Sequence, residues 1–170
     1  MHATLGDIYN YRKVDDRLSA SGQPSEAELA EIARNGFAVV INLALHTDPR
    51  YALPDETACV RALGMDYIHI PMVFDAPREA DMLTFFAALE AHRHQKVFVH
   101  CAANMRVSTC IGLYLAIKCN TPAEQAFSLM KSIWQPNAIW SAFIVGMLAK
   151  YRPDLPAPTE AIPGPPANRA

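Results

Sequence analysis

At 170 residues and 51% hydrophobic side chains, the chain is long enough to close one core without disulfide or metal staples. Its 15 Lys and Arg against 17 Asp and Glu leave a formal net charge of −2. That balance excludes a broad basic face for nucleic acid or anionic lipid, so any anion site has to be local.

No apolar run reaches the roughly 18–20 residues of a membrane span. The N-terminal stretch MHATLGDIYNYRKVDD also lacks the apolar segment of a secretory signal, so a cytoplasmic protein with neither membrane nor nucleic-acid partner is expected. Cys59, Cys101, Cys110 and Cys119 form no Cys-x-x-Cys pair and have no ligand-like histidine spacing. Free thiols are therefore expected, with no structural zinc, no other metal and no cofactor.

In chain order, IYNYRKV and LSASG read as short, paired strands. PSEAELAEIARNG follows as a helix with Ser25 as N-cap, Glu28 closing a capping box and Gly36 past its end. FAVVINLAL is a continuous β-branched run, the pattern of a strand buried on both faces and covered by helices on each side. Residues 53–64, with Pro54 near the start and glycine at the end, predict a helix, and MDYIHIP a strand. The loop MVFDAP leads into a helix over roughly 78–92, then the short buried strand KVFVH.

Helices are predicted from near Arg106, over TPAEQAFSLMKSIW with Thr121 as N-cap, Pro122 at N1 and Glu124 completing a capping box, and over NAIWSAFIVGMLAKY. The helix–strand alternation favours an α/β fold with a mostly parallel central sheet flanked by helices. One domain over residues 1–152 is expected, followed by a proline- and alanine-rich tail over 153–170 that has little to bury and should be extended or disordered.

The stretch VFVHCAANMRVSTC carries the chemistry. A strand ending at His100 places Cys101 at the carboxyl edge of the sheet, where open α/β sheets bind ligands. The amides of residues 102–106 at a helix N-terminus can cradle an anion, and the same field lowers the pKa of a cysteine thiol. Arg106 adds a planar fork for two oxygens of a phosphate or sulfur oxyanion. A lone cysteine at a strand end is more often core than catalytic. Here the order of strand, His-Cys, small-residue loop, Arg and apolar helix favours a nucleophile.

This segment resembles the signature loop of the cysteine-dependent protein tyrosine and dual-specificity phosphatases, whose pattern is His-Cys, five residues, Arg, then Ser or Thr. SASGQPSEAELAEIARNGFAVVINL followed by VFVHCAANMRVS is similar, more closely, to a bacterial branch of dual-specificity-like phosphatases. In that branch a Gly-Gln-Pro stretch precedes the first helix and the Cys-to-Arg gap is four. The similarity spans roughly residues 8–150.

The resemblance implies the dual-specificity-like phosphatase fold and hydrolysis of phosphate monoesters, phosphotyrosine or related, on a phosphorylated protein or a small phosphomonoester. It makes Cys101 the nucleophile, with Arg106 and the loop residues Ala102, Ala103, Asn104 and Met105 binding phosphate. Ser108, or less readily Thr109, takes the hydroxyl role that stabilises the departing thiolate, although the family places that hydroxyl directly after Arg, where this chain has Val107. His100 orients the loop by hydrogen bonding. A general acid is implied on the loop before the last helix that precedes the signature strand. Asp75 sits there between Phe74 and Pro77, with Asp81, a first-turn helix acid, as rival.

Gln135 or Asn137 can orient the hydrolytic water, or instead start a helix beside two core tryptophans, and SGQP should lie near the rim of the site. The remaining histidines, including His92 and His94, read as solvated. Two other functions stay open. A loop of six residues from Cys101 to Arg106 also resembles that of rhodanese-like sulfurtransferases, with a Cys101 persulfide. An inactive module that only recognises phosphate is the third.

Overall fold

In the computed structural model, residues 3–155 are described. The expected extended tail falls, from residue 156 onward, outside them. Five strands form one sheet in the order β1-β2-β5-β3-β4: β1 Arg12–Lys13, β2 Leu18–Ser21, β3 Val39–Asn42, β4 Asp66–His69 and β5 Val97–His100. The β1–β2 pair is antiparallel, while the β2–β5, β5–β3 and β3–β4 pairs are parallel. This is the mostly parallel α/β architecture that the alternation of elements predicts.

The two central strands are apolar on both faces because helices cover both. Val39, Ile41, Val97 and Val99 face a core built with α3 (Glu79–Ala91), α4 (Met105–Ile117), α5 (Ala123–Ala126), α6 (Ser128–Ile133) and α7 (Ala138–Tyr151). Val40 and Phe98, at the alternate positions, face α1 (Glu26–Arg34) and α2 (Glu56–Ala62).

The first helix is capped as its sequence dictates. Ser25 Oγ accepts the Glu28 amide at 3.3 Å, the Glu28 carboxylate accepts the Ser25 amide at 2.7 Å, and Gly36 follows with φ 81°. The helix expected over 53–64 is shorter, because Asp55 caps it by accepting the Ala58 amide at 3.0 Å and the residues before form a separate 3-10 turn, Pro49–Tyr51.

The capping box expected from Thr121 and Glu124 does not form. Pro122 occupies the cap with no side-chain bond, while the Thr121 amide is held at 3.0 Å by the Leu115 carbonyl of α4 across a turn at Asn120, φ 57°. The single helix expected there is also two, broken at Phe127, whose buried ring lies over Gly112 so closely that a Cβ on that glycine would meet it at 2.4 Å. Among the described residues no helix is long and apolar enough to cross a membrane, and all four cysteines are free.

Candidate active site

The carboxyl ends of three parallel strands meet at one level. Ser21 of β2 and Asn42 of β3 both lie in register with His100 of β5. The Leu43 amide binds the His100 carbonyl at 2.9 Å, and the Cys101 amide binds the Ser21 carbonyl at 3.3 Å. Cys101 thus leaves the sheet from a junction clamped on both sides, and it is only 1% exposed.

The short loop is held from outside. The Gln23 amide donates to the Ala102 carbonyl at 3.1 Å and Asn10 Nδ2 to the Ala103 carbonyl at 3.1 Å. Because a trans peptide sets its N–H opposite its carbonyl, the Ala103 amide is turned away from that flank. Gly22 permits the approach: a Cβ there would lie 2.8 Å from the Ala102 carbonyl and 2.7 Å from the Tyr9 ring.

Asn104, the residue before α4, takes the left-handed conformation with φ 65° and ψ 6°. Asparagine tolerates that region better than most residues, and its side-chain amide is further tied to the Asn10 carbonyl at 2.8 Å. The turn lets four residues cover the distance from strand to helix and points the α4 N-terminus at the loop.

Arg106, in the first turn of α4, is 9% exposed. Its guanidinium donates to the Met72 carbonyl at 2.8 Å and lies 5.8 Å from the centre of the Phe74 ring. Among the described residues no carboxylate lies within ion-pair distance of it. A buried cation without a counter-charge is costly, and an anion in the loop would relieve that cost.

The loop that Arg106 grips also carries Asp75, which is exposed. Trp140 Nε1 donates to the Phe74 carbonyl at 2.8 Å, and the Phe74 ring packs 5.7 Å from Trp134 and 6.1 Å from Trp140. The rival, Asp81, is engaged by Arg78 through a fork of 3.0 and 2.8 Å.

Ser108 donates its hydroxyl to the Met105 carbonyl at 3.1 Å, and Thr109 does the same at 3.0 Å while accepting Trp134 Nε1 at 3.2 Å. Both hydroxyls thus serve the helix. Asn137 caps α7 by accepting the Trp140 amide at 3.0 Å, and Gln135 lies exposed on the connection before that helix. The SGQP stretch lies beside the loop, where Gln23 and Pro24 line a cleft with Ala102 and the Gln23 amide holds the Ala102 carbonyl. His92 bonds Gln95 at 2.6 Å just beyond the end of α3. Burial pushes the Cys110 thiol far above its ordinary range, so that neighbour of the loop is held neutral.

One feature of the site is absent from the sequence reading. Glu56, first residue of α2 and 1% exposed, accepts a hydrogen bond from His100 Nε2, from Gln23 Nε2 at 3.2 Å and from Asn42 Nδ2 at 3.3 Å. Burial alone would push its carboxyl up; the His100 bond and charge, with the Gln23 bond, hold it below the ordinary carboxylate value. Asn42 Nδ2 also meets His46 Nε2 at 2.9 Å and the Tyr67 hydroxyl at 3.1 Å. Burial and the stacked His69 ring hold His46 below the usual histidine value. A polar asparagine ending the buried run VVIN was the available signal for this cluster; Glu56 alone looks like any acid in a first helical turn.

A buried cysteine leaving a parallel strand, a tight loop and a buried arginine opening the next helix form the candidate site, inside a sheet covered on both faces that has the fold of the cysteine-based phosphatases. The chain belongs to the family described as the phosphatase-like domain of beta-lactamase hydrolase-like protein, matched over residues 10–117.

Over 95 residues it is 34% identical to the beta-lactamase hydrolase-like protein of Xylella fastidiosa, covering 55% of this chain but 22% of that relative's length. Its fold is similar to that of a candidate phosphatase of the DUF442 group from Shewanella putrefaciens, with TM-score 0.78 and 32% identity over 86% of this chain and 96% of that one. P. aeruginosa TpbA, solved in complex with pTyr, shares the fold at TM-score 0.60 and 18% identity over 72% of each chain.

Proposed function

We propose that this domain hydrolyses phosphate monoesters, phosphotyrosine or a related aryl ester foremost, on a protein or a small molecule, through a phosphocysteine intermediate. The buried Arg106 at the helix start behind Cys101, with no carboxylate within ion-pair distance among the described residues, is the observation that carries this reading.

In the first step the Cys101 Sγ lone pair forms a bond to phosphorus and the ester P–O bond breaks. Arg106 and the amides of residues 102–106 hold the nonbridging oxygens, and Asp75 gives its proton to the leaving oxygen. In the second step water attacks phosphorus, the Asp75 carboxylate takes the water's proton, and the S–P bond breaks to return the thiolate. The departing thiolate is favoured by the α4 N-terminus. Ser108 adds to this only if its hydroxyl leaves the Met105 carbonyl.

An aryl substrate fits the neighbourhood. Beside Ala102 lies a cleft of ≈ 370 Å³ whose lining mixes Gln23, Ser25, Glu28 and Arg50 with Tyr9, Pro24, Pro49, Tyr51 and Leu53, the latter giving apolar surface against which a phenyl ring can pack. TpbA supports the same substrate by its bound pTyr. A cytoplasmic setting fits four free thiols.

The test is release of phosphate from para-nitrophenyl phosphate by the wild type and its loss in Cys101→Ser. Thiocyanate formed from thiosulfate and cyanide would make the protein a sulfurtransferase instead. Tungstate binding without turnover would make it a phosphate-recognition module.

A further inference from the structure

We infer that Glu56 is a positioning residue for the nucleophile, acting through the ring of His100. Three facts meet at this carboxylate. It is buried beside a residue whose own side chain is fully buried, and the His100 Nε2 bond joins them. It also takes the side chain of Gln23, whose backbone amide holds the Ala102 carbonyl of the loop. And it takes Asn42, the residue in register with His100 on β3, whose Oδ1 accepts the Ala44 amide at 2.8 Å. Glu56 therefore links α2, β3, β5 and the segment that follows β2 at the level where Cys101 leaves the sheet.

The chemistry of a carboxylate explains why glutamate is used. An ionised carboxylate only accepts, so Nε2 of His100 must carry a hydrogen whether the ring is neutral or charged. An amide offers an acceptor and a donor, and leaves the ring free to present either nitrogen. The ring state of His100, next in sequence to Cys101, is thus set from a residue 44 positions away. Swapping an orienting carboxylate for an amide in a catalytic histidine pair costs activity through the wrong tautomer, without loss of fold. The surface end of the cluster, His46 with Tyr67 and His69, closes it against solvent.

The inference rests on Cys101 being the nucleophile, and two of its three readouts need no phosphate ester. In the wild type, a nitrogen-15 histidine spectrum should show a slowly exchanging, downfield proton on His100 Nε2; an Nδ1-bound proton with no such signal overturns the proposal. In Glu56→Gln that signal should vanish, and iodoacetamide should alkylate Cys101, followed by peptide mass in a Cys59→Ser, Cys119→Ser background, at a rate changed by about tenfold or more.

On para-nitrophenyl phosphate, kcat should fall about 10- to 100-fold while KM stays within about twofold. A Glu56→Gln protein with wild-type alkylation and wild-type kcat, altered only in thermal stability, would make Glu56 a structural residue and sink the idea. If that variant does not fold, the wild-type ring spectrum decides alone. If wild-type protein lacks phosphatase activity, ring spectrum and alkylation still decide, so the two readings fail separately.

Discussion

Two thiols of one core sit in different environments. Cys110 lies in the middle of α4 with Met72 Sδ 3.7 Å away, and burial foremost, with neighbouring Cys101 and Asp81, raises its thiol against the opposing Arg106. Cys101 lies at a strand end facing a helix start, with Arg106 the second residue of that helix. Asp75 and Asp81 divide in the same way: Asp81 is clamped by Arg78 in the first turn of α3, while Asp75 stays exposed on the loop that Arg106 and Trp140 hold. Asp75→Asn should therefore slow turnover of alkyl phosphates about 100-fold and remove one pH limb of kcat, while Asp81→Asn leaves kcat within about twofold. Equal losses in both would contradict the assignment.

Asn104 offers a stability test at the same scale. Its φ of 65° costs an alanine more than a glycine, so Asn104→Ala should be less stable than Asn104→Gly by about 1 kcal/mol in urea unfolding, although both lose the bond to Asn10.

Among the elements, the strands were legible because burial on both faces writes itself as an unbroken run: VVIN and VFVH are β3 and β5. The first helix was legible down to its cap, since Ser25 and Glu28 answer each other locally. The segment over 121–134 was not. Its Thr-x-x-Glu spacing is a local signal, but the Thr121 amide is claimed by Leu115 and the Phe127 ring by the gap over Gly112, both on another helix. Glu56 escaped for the same reason, its partner His100 lying on a strand across the sheet.

Gly22, just past the end of β2, bridges to Ala103 of the loop. Gly22→Ala forces the added Cβ against the Tyr9 ring and the Ala102 carbonyl. It should cost about 1–3 kcal/mol and weaken tungstate binding in proportion to the loop shift, read together by thermal unfolding and calorimetry. Unchanged binding would mean that the loop does not depend on this contact.

For the molecule as a whole, the sheet is the frame and the candidate site is its carboxyl edge, so on the proposed reading stability and function share the same buried polar cluster. Glu56 sits below its ordinary value of 4.5 in the fold. A carboxyl so lowered adds stability above about pH 4.5, and that contribution is lost as pH falls through its folded-state value. Glu56→Gln should therefore have a flatter acid limb of stability than the wild type, the gap between them narrowing as pH drops, in denaturant unfolding followed at several pH values.

The central claim is that Cys101 carries the phosphoryl group. Acid-quenching the protein during turnover of para-nitrophenyl phosphate and sequencing its peptides by mass should find one phosphoryl group on Cys101 and none on Cys110. Phosphate release from protein that never carries it on Cys101, or full turnover by Cys101→Ser, would contradict the account.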